Sequence, residues 1–146
     1  MDFLQAIGIR QCRTWCLGLL AEAQRKNGRS EVGLDLVDEA LTVAAEIGER
    51  FYEAELHRLK GELVLDVSAE NQLEAETYFH HALEIARRQQ AKSWELRAAI
   101  SLARLWQQQG KKEGARQLLA EVYGWFSEGF GTADLQEAKA LLDGLA

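Results

Sequence analysis

A pattern of small residues returns about every 42 residues along this chain, and it limits the possible fold more than any other feature. One small position recurs at Gly18, Gly61 and Ala103, in steps of 43 and 42. A second unit, small-x3-apolar-x2-apolar or Ala, recurs as Gly33/Val37/Ala40, Ala75/Phe79/Ala82 and Ala115/Leu119/Val122, in steps of 42 and 40. Fixed periods of this length signal α-solenoids, whose repeats cannot bury a core alone and do so by stacking. The sequence therefore predicts an all-α fold, a single domain of antiparallel helical hairpins with a C-terminal capping helix. Alanine and glycine at the repeated places let two helix backbones approach, while Val37, Phe79 or Leu119 one turn on fills the gap between layers.

The hairpins fall at about 9–47, 49–90 and 92–128, with the cap at 133–145. Residues 1–8 read as the tail of a helix that ends at Gly8. Asn27-Gly28-Arg29-Ser30 breaks the first hairpin, with Gly as a helix stop and Ser30 as the N-cap of the next helix. Gln109-Gly110-Lys111 repeats that break 82 residues later. Gly48 ends the second helix, and Thr132 is placed to cap the last one, with Asp134 in its first turn. The chain has no proline, which allows long helices without interior breaks.

A net charge of −6 opposes nucleic-acid binding, which needs a basic surface to neutralise phosphate. No stretch reaches the 18 or so apolar residues of a membrane span, and no secretory leader stands at the start. Cys12 and Cys16, four apart on one helix, suit reduced, buried or half-buried thiols better than a disulfide or a metal site. These readings place the chain in the cytoplasm, with neither nucleic acid nor membrane as partner.

The repeat unit resembles the tetratricopeptide repeat, most closely in its second copy with Gly61, Ala75, Phe79 and Ala82. It departs from that family in its longer period and in lacking the closing proline. The strings Tyr52-Glu-Ala-Glu-Leu-His-Arg-Leu-Lys-Gly-Glu-Leu63, Ala98-Ala-Ile-Ser-Leu-Ala-Arg-Leu-Trp106 and Val122-Tyr-Gly-Trp-Phe-Ser-Glu-Gly-Phe130 carry a second likeness. Over roughly residues 9–146 the chain resembles the C-terminal arm of bacterial multidomain ATPases and adenylate/guanylate cyclase-like regulators. That resemblance implies a sensor or scaffold arm whose nucleotide chemistry sits in other domains. No G-x-x-x-x-G-K-[ST] phosphate loop occurs here, so the activity does not carry over.

Candidate sites are few. His57, His80 and His81 are the only histidines, and adjacent histidines on a helix point about 100° apart, too far to share a ligand sphere. No G-x-S-x-G elbow appears, and Glu74/Glu76 read as solvated charge. No catalytic, cofactor or metal residues are assigned, and the chain reads as a non-enzyme. Of the tryptophans, Trp94, Trp106 and Trp125 are expected to pack between layers. Counting from the small position, Trp15 lands where tetratricopeptide arrays point into their concave groove.

The same register gathers a polar stripe on the first helices of the hairpins: Glu22, then Glu55, Arg58 and Glu62, then Arg97, Arg104 and Gln108. Side by side, these would line a groove of mixed charge. Its arginines have two possible uses, forking onto a carboxylate of a bound peptide or pairing with glutamates of neighbouring helices. The expected function is a protein-interaction or scaffold module that binds a peptide or partner domain. The alternative is a ligand-sensing arm of a larger signalling protein. A closed apolar pocket would favour the ligand and an open charged groove the peptide. A homodimer through the N-terminal end, using Phe3, Leu4, Ile7 and Ile9, is also expected.

Overall fold

The computed structural model describes the chain from residue 3 to residue 146, and its side chains from Cys12 onward. Seven helices follow one another in this span: α1 Phe3–Lys26, α2 Ser30–Ile47, α3 Glu53–Val67, α4 Gln72–Arg88, α5 Lys92–Gln108, α6 Lys112–Gly124 and α7 Ala133–Leu145. No strand occurs among the described residues. Each helix packs on the next in sequence, and the odd-numbered helices also touch in order, α1 to α3 to α5 to α7. That second set of contacts brings the first helices of all three hairpins onto one side, with α7 beside them.

Helix boundaries depart from the expected ones in four places. Helix α1 runs through Gly8 without a break, since one interior glycine costs a helix only about 1 kcal/mol. Ser30 is the first helical residue, and Arg29 stands at the N-cap with no side-chain cap bond. Helix α3 begins at Glu53, and just before it the backbone N–H of Phe51 donates to Glu49 Oε1 at 2.6 Å. Helix α6 ends at Gly124, and residues 125–132, with Gly129 at φ 80°, form an irregular link to α7. Thr132 does precede α7, but its hydroxyl makes no cap bond. Gly48 ends α2 in the left-handed region at φ 69°, its N–H bonded to Ala44 O. One repeat later Gln90 takes that conformation at φ 56°, a place glycine fills at less cost.

Every residue of the repeating small-and-apolar pattern is buried. At three glycines the burial has a steric reason. A Cβ on Gly61 would lie 2.5 Å from Phe79 Cε1, one on Gly33 2.8 Å from Leu63 Cδ2, and one on Gly18 2.6 Å from Tyr52 Cε1. Besides a small cluster of Ala54, Ile85 and Ala86 between α3 and α4, two larger apolar clusters result. One joins α1, α2 and α3 through Ala21, Val37, Ala40, Leu56, Leu59 and Leu63; the other runs from Val64 and Phe79 through α5 and α6 to Leu135, Ala138 and Leu145 of α7. Thus α7 closes the second cluster by burying its own apolar face.

Phe79 is fully buried, so Phe79→Ala should cost about 3–5 kcal/mol in urea unfolding. Gly61→Ala should cost about 1–3 kcal/mol by overpacking, despite alanine's better helix propensity. In a Phe79→Leu background the same Gly61→Ala change should cost far less, because the clashing ring is gone. Equal costs in both backgrounds would place Gly61 away from Phe79.

Candidate functional site

The odd-numbered helices share one polar face, and it carries most of the residues expected to bind. On α3 the Arg58 guanidinium grips Glu55 one turn back, with Nε at 2.9 Å from Oε2 and Nη2 at 2.7 Å from Oε1. Both side chains are buried, and Arg58 Nη1 also donates to Ser101 Oγ on α5 at 3.3 Å. From α5, Arg97 Nη1 reaches the same Glu55 Oε1 at 2.8 Å, and its Nε lies 3.7 Å from Asp134 Oδ1 on α7. Arg104 of α5 pairs with Glu137 of α7. From α1, Arg25 donates to Glu62 Oε2 at 3.1 Å and to Asp66 Oδ2 at 2.6 Å, both on α3. The result is a ladder of charge-assisted bonds over four helices, each rung tying one odd-numbered helix to the next.

Between the rungs the face is open. A cavity of about 190 Å³ lies among Glu22, Arg58, Arg97, Asp134 and Glu137. A second, of about 330 Å³, is lined by Asp66, Gln72, Leu105 and Gln108. The two share Arg25, Glu62, Ser101 and Arg104, which makes them one continuous groove. Arg25, Arg58, Arg97 and Arg104 face Glu22, Glu55, Glu62, Asp66, Asp134 and Glu137, four cations against six carboxylates. Burial works against the charge on Arg58, yet its bond to Glu55 and the nearby Glu62 and Glu22 outweigh that and raise its pKa further. Glu22 Oε2 is shielded from solvent and has no hydrogen-bond partner.

Of the residues expected at the groove, Glu22, Arg58, Glu62, Arg97, Arg104 and Gln108 line it, and Glu55 holds two of its arginines from below. Trp15 does not join them. It is half exposed and lines a separate open hollow of about 410 Å³ with Glu49, Phe51 and Tyr52. Tyr52, which lines that hollow, also fills the space beside Gly18. Arg25 was not foreseen, because it lies a turn beyond the repeated stripe; its spacing of i, i+3 from Glu22 was the available signal.

Of the other aromatic and sulfur side chains, Trp94 and Trp106 pack against the apolar clusters as expected, while Trp125 and the two cysteines do not. Trp125 is exposed, and Trp94 and Trp106 are half-buried, with their N–H groups donating to Phe51 O at 3.1 Å and Glu76 Oε1 at 2.8 Å. Glu76 is therefore a packing partner rather than solvated charge. Cys12 and Cys16 are both exposed, on the side of α1 turned away from α2 and α3. Phe3, Leu4, Ile7 and Ile9, expected to form a homodimer contact, lie outside the described side chains.

The adjacent histidines diverge. His81 lies against His57, ring centres 4.4 Å apart, while His80 faces Trp106 at 5.9 Å. Among the described residues no group of three His, Cys, Asp or Glu side chains is placed to hold a metal ion. No described helix is long and apolar enough to cross a membrane. Neither a protein-family model nor a curated protein matches this sequence.

Glu55→Ala strips Arg58 of its close partner inside the protein and should cost about 3–5 kcal/mol. Glu113→Ala breaks a solvent-exposed pair with Arg116 and should leave the urea midpoint unchanged. Burial, together with His81 and Lys60, lowers the His57 pKa from 6.5 to about 4. Unfolded chain takes up a proton near pH 6.5 that folded chain refuses until about 4. The contribution of His57 to stability is therefore complete above that window and declines as pH falls through it. His57→Phe should flatten the pH dependence of the urea midpoint between pH 7 and pH 4.5; an unchanged slope would contradict the assignment.

Proposed function

We propose that this chain is a tetratricopeptide-like α-solenoid of three hairpins and a cap, acting as a non-catalytic interaction module. An extended peptide or a segment of a partner protein lies in the groove across α1, α3, α5 and α7. The single observation that carries this reading is the groove itself, open along its length and lined by charged and polar side chains rather than closed and apolar. Such a surface suits a polar chain better than a small apolar ligand, which calls for an enclosed pocket. This favours the interaction module over the ligand-sensing arm.

The arginines enter the groove already paired, so a ligand carboxylate must displace a neighbour to be gripped. The excess of carboxylates and the unpartnered Glu22 Oε2 suit a ligand rich in donors, a peptide carrying Lys or Arg. Recognition of that kind steers association and weakens with salt. In the setting implied by the resemblance to regulatory ATPases, the module is an arm that holds a partner near other domains.

A peptide-display selection on the purified chain tests this reading. Selected peptides should be enriched in Lys and Arg and bind less tightly as salt rises. Gln108→Trp, an exposed position on the groove lining, should weaken them at least tenfold without changing the circular dichroism spectrum. Peptides that bind the Gln108→Trp and Arg104→Glu variants as well as wild type would overturn the assignment to this groove.

A further inference from the structure

Beside Trp15, three aromatic rings and a carboxylate border one open space. Trp15 of α1, Glu49 and Phe51 of the link between α2 and α3, and Tyr52 just before α3 line a hollow of about 410 Å³. That volume falls within the roughly 300–1,000 Å³ of small-molecule sites. In the repeat register Trp15 stands where Arg58 does on α3, and Arg58 reaches forward to Ser101 of the next hairpin. The hollow likewise lies forward of α1, between it and the second hairpin. Gly18, one turn along α1 from Trp15, leaves room there for Tyr52: a Cβ on Gly18 would lie 2.6 Å from Tyr52 Cε1.

This lining is held in place. The Phe51 N–H donates to Glu49 Oε1 at 2.6 Å, and the Phe51 carbonyl accepts from Trp94 Nε1 at 3.1 Å. The Arg50 carbonyl accepts from Gln89 Nε2 at 2.7 Å. Trp94 also packs edge-to-face with both Phe51 and Tyr52, ring centres 6.2 and 5.6 Å apart. Yet Phe51 keeps 71% of its surface open and Trp15 53%. Rings fixed this firmly lose little freedom when a ligand covers them.

The chemistry of the lining selects the ligand. Aromatic faces carry negative potential and attract cations. Elsewhere the chain meets that attraction with its own lysines: Lys60 lies 5.1 Å from the Tyr78 ring centre and Lys92 5.3 Å from that of Trp125. Among the described residues no lysine or arginine is so placed over Trp15, Phe51 or Tyr52. Arg50 lines a different hollow, with Leu41 and Glu53. The Glu49 carboxylate adds negative charge at the same wall. A primary ammonium is strongly hydrated and needs several acceptors to replace its water, whereas the side chains here offer one carboxylate and one hydroxyl. A trimethylammonium group has no N–H to satisfy, and its methyls bury against the rings while their faces and Glu49 meet its charge. We infer that this hollow binds a small quaternary ammonium compound bearing a trimethylammonium group. The site is separate from the groove and does not depend on what the groove holds.

A nuclear magnetic resonance titration of the full chain with choline tests the site. Choline should shift the Trp15 indole and the Phe51 and Tyr52 ring signals saturably, in the millimolar range. Ethanolamine, which lacks the methyl groups, and the uncharged analogue with carbon in place of nitrogen should each bind at least about tenfold more weakly. Phe51→Ala removes a ring that is mostly exposed, so the helical spectrum should hold while choline affinity falls about two- to fivefold. Glu49→Gln keeps an oxygen to accept the Phe51 N–H and, by removing the charge, should weaken choline severalfold. Three results would each overturn the proposal: choline shifts that do not saturate at these rings or saturate at Arg104 and Ser101 of the groove instead, equal binding of the uncharged analogue, or choline affinity unchanged in both variants.

Discussion

Close approach of neighbouring helices at the glycine and alanine positions is the constraint on which the rest of this structure depends. At Gly18, Gly33 and Gly61 there is no room for a methyl group, because Tyr52, Leu63 and Phe79 occupy that space. Alanine does the same service at Ala40, Ala82 and Ala103, all fully buried. Each approach fixes one helix against the next, so the molecule is a succession of local contacts rather than a core gathered from distant segments. Stability in such a stack is a sum of neighbouring interfaces.

The polar face follows from the same spacing. Because α1, α3, α5 and α7 touch in order, side chains at equivalent turns reach across to the next helix. Arg25 bridges α1 to α3, Arg58 and Glu55 bridge α3 to α5, and Arg97 and Arg104 bridge α5 to α7. Exposed pairs such as Arg104 with Glu137 add little, while the buried Glu55–Arg58 pair is costly to break and so holds the floor of the groove in one arrangement. The floor of the groove is thus tied by a buried pair and its rim by exposed ones.

Much of this was legible in the sequence because the same contact recurs. Gly61, Ala75, Phe79 and Ala82 are readable as packing residues from their equivalents one repeat before and after. The stripe from Glu55 to Gln108 is readable because the period aligns it. What recurrence does not reach was misread. Cys12 and Cys16 read as buried or half-buried because reduced cysteines usually are, and Trp15 reads as a groove residue from its register, but on α1 no described helix opposes that face. The two uses of the groove arginines could not be separated by spacing alone, since pairing depends on which neighbouring carboxylate arrives within reach. The early end of α6 at Gly124 was missed because the hydrophobic pattern runs on through Trp125 and Phe126 while the backbone has already turned.

The most direct test of the close approaches is a nuclear magnetic resonance measurement of contacts between each glycine and its packing partner. Strong through-space contacts are predicted from the Gly61 Hα protons to the Phe79 ring, from Gly18 to the Tyr52 ring, and from Gly33 to the Leu63 methyls. The Gly61 and Gly18 protons should also be displaced from ordinary helical shifts by the adjacent rings. Resolved glycine signals that lack these contacts, at ordinary shifts, would contradict the packing from which the groove follows.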